Sequence, residues 1–406
     1  MLDSGVPRKH ADDLRAVSKL IVHATRSITT AVEEMHDTIA AGSPIVGPPF
    51  ARVARPLLRV VYGHIRTTTD LVGDAIELAL TELEPLLGQS APGLKREAIL
   101  AALNGVLGDR LHTTESALAI PMTFRRHGQP LSLDKRELLE VFPDASRRLL
   151  MLVHGSSQND LQWNRDGHDH GAALARDFGY TPIYLHYNSG LHISTNGREL
   201  AALLERLVLA WPAPVEEMNI LGHSMGGLVA RSACFAAEVE NLSWRRKLRR
   251  LVCLGSPHHG SPLEQAGSWL DALLGVSAYS TPIQRLARIR SAGVTDMRHG
   301  NVLDEHWVGR DRFEPFSDTR RNLTLPDAVD CYAIAATTAK ALAPKLPGDG
   351  LVPVDSALGR HKRRDLTLAF PDSHQWIVFG TGHLDLLSKP DVYDKLRQWF
   401  GSTPCA

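Results

Sequence analysis

Cysteine is scarce in this sequence, and its four cysteines do not stand at the spacings of a disulfide framework or a zinc site. Two of them, Cys253 and Cys331, lie in apolar runs that are typical of buried strands. We therefore expect free thiols and a reducing compartment.

Net charge and long apolar runs are also lacking. Lys and Arg together number 45, as do Asp and Glu, so the formal net charge is zero and a nucleic-acid partner is not expected. The first ten residues lack the apolar core of a signal peptide, and the ~20 apolar residues of a membrane-spanning helix occur nowhere. A cytoplasmic address follows, with a membrane-peripheral one as the alternative.

The N-terminal quarter has helical periodicity. Apolar residues recur at steps of three and four from Leu14 to Met35 and again from Val61 to Ala79, and a third segment runs from Leu94 to about Leu107. We predict an all-α region over residues 1–111. Its apolar stripes are expected to pack against each other or a neighbouring domain, and peripheral membrane contact is the alternative.

Buried strands alternate with helices from residue 112 onward, which predicts a mostly parallel sheet with helices on both faces. The rhythm breaks between about 262 and 325, so residues 112–406 are predicted to form one domain with a helical cap inserted there. Strands are predicted at Ile120–Arg126, Gln129–Leu133, Arg147–Val153, Thr181–His186, the run before Gly222, Leu251–Leu254, Cys331–Thr337 and Gln375–Phe379. Helices are predicted at Lys135–Val141, Ala172–Phe178, Arg198–Leu209, Leu228–Glu238 and Val392–Phe400.

A sharp turn carries the best candidate nucleophile. Gly222-His-Ser224-Met-Gly226 lies between an apolar run and a helix-forming segment. A serine on such a turn has a strained backbone, and side chains in place of either glycine would collide with the neighbouring strand and helix. We predict that the turn presents Ser224 at the positive end of the following helix.

A serine nucleophile needs a general base and an acid that orients the base. Asp349 lies in a Gly-rich turn after one strand and His383 just past the last strand, where ligands bind to open α/β sheets. Asp349 is favoured over Asp355 because its glycine neighbours let a loop tip reach inward, and His383 is favoured over His374 because His374 precedes the last strand. The serine–acid–histidine order also fits one of the known serine triads.

Backbone N–H groups are expected to complete the site as an oxyanion hole. One donor is the residue after the nucleophile, Met225, and the other comes from the loop after the strand that ends at Val153. Ser156 is the predicted donor in that loop, with Ser157 in reserve.

Together these segments resemble a lipase-type α/β-hydrolase. Within that superfamily they are similar to bacterial triacylglycerol lipases and to the hydrolase domain of GPI inositol-deacylases, over roughly residues 145–400. The motifs that carry the resemblance are His154-Gly, Gly222-His-Ser-Met-Gly-Gly, Leu254-Gly-Ser-Pro-His-His-Gly-Ser, Gly348-Asp-Gly-Leu-Val and Gly382-His-Leu-Asp.

The resemblance implies an α/β-hydrolase fold with Ser224, Asp349 and His383 as triad. It implies a serine hydrolase of carboxylic esters that acts through an acyl-enzyme on a small-molecule ester or lipid. Some relatives bind calcium through the position of Asp385, but no further ligands are recognisable, so neither metal nor cofactor is predicted. An acyltransferase, a thioesterase and a non-catalytic binding protein are the alternatives. The predicted substrate-binding residues are His154, Gly155, His223, Trp163 and Tyr187.

Overall fold

The computed structural model describes residues 94–261, 291–310, 318, 320–344 and 346–402. The two helices predicted before residue 94 lie outside this part of the chain, as does most of the predicted cap, including its apolar segment Trp269–Leu274.

One eight-stranded sheet organises the described residues, in the order β2-β1-β4-β3-β5-β6-β7-β8. In the order β4-β3-β5-β6-β7-β8 all neighbouring strands are parallel, whereas β1 is antiparallel to both of its neighbours, β2 and β4. The prediction of a mostly parallel sheet is confirmed. The strands are β1 (Thr123–Arg126), β2 (Gln129–Pro130), β3 (Arg148–Val153), β4 (Thr181–His186), β5 (Glu217–His223), β6 (Leu248–Leu254), β7 (Asp330–Thr337) and β8 (Gln375–Phe379).

Helices connect the strands and cover both faces of the sheet. The α-helices are α1 (Leu94–Thr113), α2 (Lys135–Val141), α3 (His170–Phe178), α4 (Ile193–Ala210), α5 (Met225–Val239), α6 (Ala292–Asp296), α7 (Val354–Ala357) and α8 (Pro390–Gly401). Short 3₁₀ helices lie at Asp160–Trp163, Ser243–Lys247, Asp304–His306, Arg364–Leu366, Asp372–His374 and Leu384–Leu387.

Alternation along the central strands produces two apolar cores. In β3, Met151 points into a core shared with α1, α4 and α5, whereas Leu150 and Leu152 point into a second core with α3 and α8. Because side chains alternate along a strand, a strand covered on both faces is apolar throughout, as β3 is. This three-layer packing fixes the edge at which the functional residues lie.

The first described helix belongs to the main core. Leu103, Leu107 and Leu111 of α1 are buried together with Met151 of β3. The helix reaches Thr113 and is thus longer than the predicted segment. The predicted boundary between residues 111 and 112 stays a prediction, but α1 and the sheet share one core.

Three of the four cysteines lie in the described residues. Cys234, Cys253 and Cys331 are free and buried, and burial raises the pKa of the first two thiols to about 12. The expectation of free thiols is confirmed for these three. Within the described part of the chain, no helix is both long and apolar enough to cross a bilayer.

Candidate active site

Ser224 occupies a strained turn between β5 and α5, with a φ of 55°. Its N–H donates to the carbonyl of Leu254, at the end of β6 (2.8 Å). A Cβ on Gly226 would lie 2.2 Å from the carbonyl oxygen of Val153, and one on Gly222 would lie 2.6 Å from a backbone nitrogen in the first turn of α5. The predicted need for both glycines is therefore confirmed.

Asp349 and His383 form a buried pair beyond the ends of β7 and β8. The Nδ1 atom of His383 lies 2.7 Å from Oδ2 of Asp349, and the N–H of His383 donates to the carbonyl of Asp349 (3.0 Å). The other carboxylate oxygen accepts the N–H groups of Leu351 (2.9 Å) and Val352 (2.7 Å). Since Asp349 only accepts, Nδ1 of His383 carries the proton and Nε2 is left as a proton acceptor.

The pair lies against the turn that carries Ser224. The ring centroids of His383 and His223 are 4.7 Å apart, and Nε2 of His223 is 3.2 Å from the carbonyl oxygen of His383. A Cβ on Gly255, just after β6, would lie 3.2 Å from Cε1 of His383 and 3.3 Å from Oδ2 of Asp349. Among the described residues, Nε2 of His383 is buried without a hydrogen-bond partner. The structure thus brings Ser224, Asp349 and His383 to one corner of the sheet edge.

The two alternative residues lie elsewhere. The side chain of Asp355, in α7, is 76% exposed and is 4.0 Å from Arg360. His374 precedes β8, where its ring stacks on Tyr332 at a centroid distance of 4.1 Å and hydrogen-bonds to the carbonyl of Cys331 (3.2 Å). Neither residue takes part in the buried pair.

The predicted oxyanion donors are N–H groups without a partner among the described residues. Met225 is the first residue of α5, and its N–H belongs to the turn that lacks acceptors within a helix. In the loop after β3, the N–H of Gly155 donates to Oε1 of Gln158 (2.9 Å) and that of Ser157 to Oγ of Ser189 (2.9 Å). No described residue accepts the N–H of Ser156. Of these three, Ser156 is the residue whose N–H has no acceptor in the part of the chain that the structure describes.

Three of the predicted substrate-binding residues surround Ser224. A Cβ on Gly155 would lie 2.9 Å from Cβ of Ser224 and 3.2 Å from Nδ1 of His223, so this position admits no side chain without movement. His154 is buried, and its Nδ1–H donates to the carbonyl of Gly155 (2.8 Å). Burial lowers the pKa of His154 to about 3 and that of His223 well below its usual value, so both rings are neutral at pH 7.

The two predicted aromatic residues are buried in the cores, next to His154 and His223. Trp163 is buried in the second core, with its ring 6.4 Å from that of His223. Tyr187 is buried in the first core, where it stacks on His154 at 4.3 Å and donates its hydroxyl proton to the carbonyl of His154 (2.9 Å). Their contact with a substrate stays a prediction.

Asp385 acts on the backbone of the histidine turn. Its Oδ2 accepts the N–H of Gly382 (2.9 Å), which closes the turn around His383. In the described part of the chain, no three His, Cys, Asp or Glu side chains are grouped as a metal ion would need.

Two residues in direct contact with the site were not predicted from the sequence. Gln158 contacts both the N–H of Gly155 and Nδ1 of His223 (3.1 Å), and Ser189 holds the N–H of Ser157. For Ser189 the sequence offered one indication, its position: Asn188-Ser-Gly follows β4 at the same edge of the sheet.

The strand order, the helices on both faces and the strained Gly-x-Ser-x-Gly turn after the fifth strand define the α/β-hydrolase fold. The fold prediction is confirmed for the described residues.

Parts of the chain are similar to known proteins. Residues 202–322 match the family model of the PGAP1-like alpha/beta domain. No curated protein matches the chain. The chain is similar to naproxen esterase from Bacillus subtilis, with 13% identity over 64% of this chain and 84% of that one and a TM-score of 0.36. It is also similar to monoglyceride lipase from Saccharomyces cerevisiae, with 12% identity over 71% of this chain and 92% of that one and a TM-score of 0.38.

Proposed function

We propose that the protein is a serine hydrolase that cleaves carboxylic esters through an acyl-enzyme on Ser224. The observation that carries the proposal is the buried His383–Asp349 pair beside the strained turn of Ser224, with an Nδ1–Oδ2 distance of 2.7 Å. Such a pair supplies the base and the orienting acid that a serine hydroxyl requires.

In the proposed acylation step, Nε2 of His383 takes the Ser224 proton while Oγ attacks the ester carbonyl carbon. Asp349 stabilises the imidazolium that forms and keeps the ring oriented. Collapse of the tetrahedral intermediate expels the alcohol, which receives the proton from His383. Water then attacks the acyl-enzyme with His383 as base, and the carboxylic acid leaves.

The N–H groups of Ser156 and Met225 are the proposed donors to the oxyanion. Their support is that both N–H groups lack a partner among the described residues, whereas the N–H groups of Gly155 and Ser157 are occupied. Loss of one such donor typically costs about 3 kcal/mol of transition-state stabilisation.

We infer an ester with an apolar acyl part, because the predicted cap contains the apolar segment Trp269–Leu274. His154, Gly155 and His223 are the proposed inner substrate contacts, with Trp163 and Tyr187 behind them. Thioester cleavage and acyl transfer to an alcohol use the same residues and remain the alternatives. The three buried free thiols favour a reducing compartment, such as the cytoplasm.

A fluorophosphonate probe tests the proposal directly. We expect the folded full-length protein to be labelled at Ser224, as identified by peptide mass spectrometry. We also expect it to hydrolyse members of a p-nitrophenyl ester series from acetyl to palmitoyl. Ser224→Ala should abolish both signals, whereas Ser243→Ala, before β6 at the opposite edge of the sheet, should keep both.

Absence of labelling in folded protein, together with absence of ester hydrolysis, would favour the non-catalytic alternative. Added alcohol separates the enzymatic alternatives, since an acyltransferase forms a new ester in place of the free acid.

A further inference from the structure

The loop after β3 has two of its N–H groups occupied by side chains from different parts of the chain. Gln158 accepts the N–H of Gly155 from within the loop (2.9 Å), whereas Ser189 reaches across from the end of β4 to accept the N–H of Ser157 (2.9 Å). The N–H of Ser156 belongs to the peptide between these two. Because peptide units are planar, holding the peptides on either side leaves rotation about the axis through the Cα atoms of Gly155 and Ser156 as the main freedom of the middle unit.

Ser189 is itself held firmly. The residue is 1% exposed and lies in the turn Asn188–Gly190. Asn188 donates from Nδ2 to the carbonyl of Gly108 in α1 (2.8 Å) and accepts the N–H of Gly190 (3.0 Å), and the carbonyl of Gly190 accepts the N–H of Gly293 in α6 (3.0 Å). The hydroxyl that faces Ser157 is therefore anchored to two helices.

Helix α1 packs closely against the loop after β3 and against the turn Asn188–Gly190. A Cβ on Gly105 would lie 2.0 Å from Oγ of Ser157 and 2.9 Å from its Cα, and one on Gly190 would lie 2.1 Å from the carbonyl oxygen of Asn104. Ser157 has a φ of 59°, which a non-glycine residue keeps only where its surroundings hold it. The loop after β3 therefore cannot move closer to α1.

We propose that Ser189 is a positioning residue for the oxyanion hole. By accepting the N–H of Ser157, it sets the loop conformation that leaves the N–H of Ser156 free for the reacting carbonyl oxygen. Helix α1 holds this arrangement from behind. The inference rests on the proposed serine hydrolase function and adds to it the residue that orients one oxyanion donor.

The test compares Ser189→Ala with Ser189→Thr, which keeps the hydroxyl. The substrate is a p-nitrophenyl ester, and kcat is normalised to the active sites titrated by the p-nitrophenol burst. We expect kcat to fall about 10- to 100-fold in Ser189→Ala with KM changed less than about threefold, because the lost orientation matters in the transition state. The rate constant for fluorophosphonate labelling of Ser224 should fall in parallel, and Ser189→Thr should restore most of both.

Ser146→Ala is the matched control. Its hydroxyl also accepts a backbone N–H, that of Arg148 (3.1 Å), but before β3 at the opposite end of the strand. We expect its kcat and labelling rate to stay within about twofold of the natural protein.

Gly105→Ala tests the position of Ser157 from the side of α1, since the added methyl group would collide with the Ser157 side chain. The same fall in kcat at nearly constant KM is expected, with a normal melting temperature showing that the protein is folded.

The outcomes separate the two proposals. If Ser224→Ala kept its activity, the serine mechanism and this inference would both be wrong. If Ser224→Ala were inactive while Ser189→Ala kept kcat within twofold or changed KM alone, only the role of Ser189 would be overturned. An equal loss in Ser189→Ala and Ser189→Thr would also overturn it.

Discussion

At the scale of single residues, Asp349 uses both of its carboxylate oxygens. One accepts the N–H groups of Leu351 and Val352, and the other accepts from Nδ1 of His383. The first set of bonds fixes the carboxylate without the histidine. The orientation of the imidazole is therefore imposed by a group that is already rigid.

Replacing Asp349 with Asn tests this arrangement. The amide oxygen can keep both backbone N–H bonds, so the amide nitrogen faces Nδ1 of His383 and donates to it. The imidazole proton then moves to Nε2, which can no longer accept the Ser224 proton. We expect kcat on a p-nitrophenyl ester to fall about 10³- to 10⁴-fold with little change in melting temperature.

Asp355→Asn is the control for that variant, because the Asp355 side chain is 76% exposed. We expect its kcat to stay within about twofold of the natural protein. A large loss in Asp355→Asn together with an active Asp349→Asn would show that the acid had been assigned to the wrong residue.

The sequence was most informative at residues whose type and neighbours are constrained together. The glycines at 222 and 226 indicated the Ser224 turn, and chain order indicated Asp349 and His383. Ser189 had only its position after β4 as a signal, because a serine in a turn is ordinary and its partner Ser157 lies 32 residues away. Contacts of that kind depend on the order of the strands, which the sequence pattern does not contain.

At the scale of elements, glycine explains where helix boundaries were predicted wrongly. The sequence reading ended the first described helix at about Leu107 and began the fourth at Arg198, but the helices run to Thr113 and from Ile193. Gly108 and Gly197 lie in the parts that the prediction left out, and Gly105 lies just before one of them; glycine normally weakens a helix at such positions.

In each case another part of the chain comes too close for a side chain. A Cβ would lie 2.0 Å from Oγ of Ser157 at Gly105, 1.8 Å from Oδ1 of Asn188 at Gly108 and 2.2 Å from Oγ of Ser232 at Gly197. Tertiary packing therefore overrides local propensity at these positions. By contrast, β4 and β8 were predicted with the bounds they have, since their short apolar runs need no such contact.

Asn104 links α1 to the segment that leads into the sheet. Its Nδ2 donates to the carbonyls of Leu100 (2.9 Å) and Leu118 (2.8 Å), and its Oδ1 accepts the N–H of Ile120 (2.9 Å). Asn104→Ala leaves buried backbone groups without partners, so we expect the free energy of unfolding to fall by about 2–4 kcal/mol in urea titrations. Exposed Asn164→Ala should change it by less than about 0.5 kcal/mol. Equal effects of the two variants would contradict this role.

At the scale of the whole molecule, several histidines are buried as neutral rings. Burial lowers the pKa of His170, His259 and His306 to about 4 and that of His154 to about 3. The unfolded chain therefore binds these protons first as the pH falls. The stabilising contribution of these neutral rings is fully present above pH 6.5 and is lost progressively below it.

We expect the free energy of unfolding to decrease between pH 6.5 and 4, by up to about 1.4 kcal/mol per pH unit for each fully buried histidine. Burial raises the pKa of Asp296, which partly offsets this slope near pH 4. Urea unfolding at a series of pH values measures the slope.

His170→Asn is the specific test, because His170 is fully buried between His168 and the carbonyl of Leu386. The variant should be less stable at pH 8 but should lose less stability on acidification. A slope identical to that of the natural protein would contradict the contribution assigned to His170.

The three buried cysteines have a practical consequence for studying opening of the fold. Their thiols are shielded, and the raised pKa of each keeps the reactive thiolate scarce. With Cys405 replaced by serine, alkylation of the chain would report the opening of segments around β6, β7 and α5. A fluorophosphonate titrates the proposed nucleophile, Ser224, in the same sample, so that the times of unfolding and of inactivation can be compared directly.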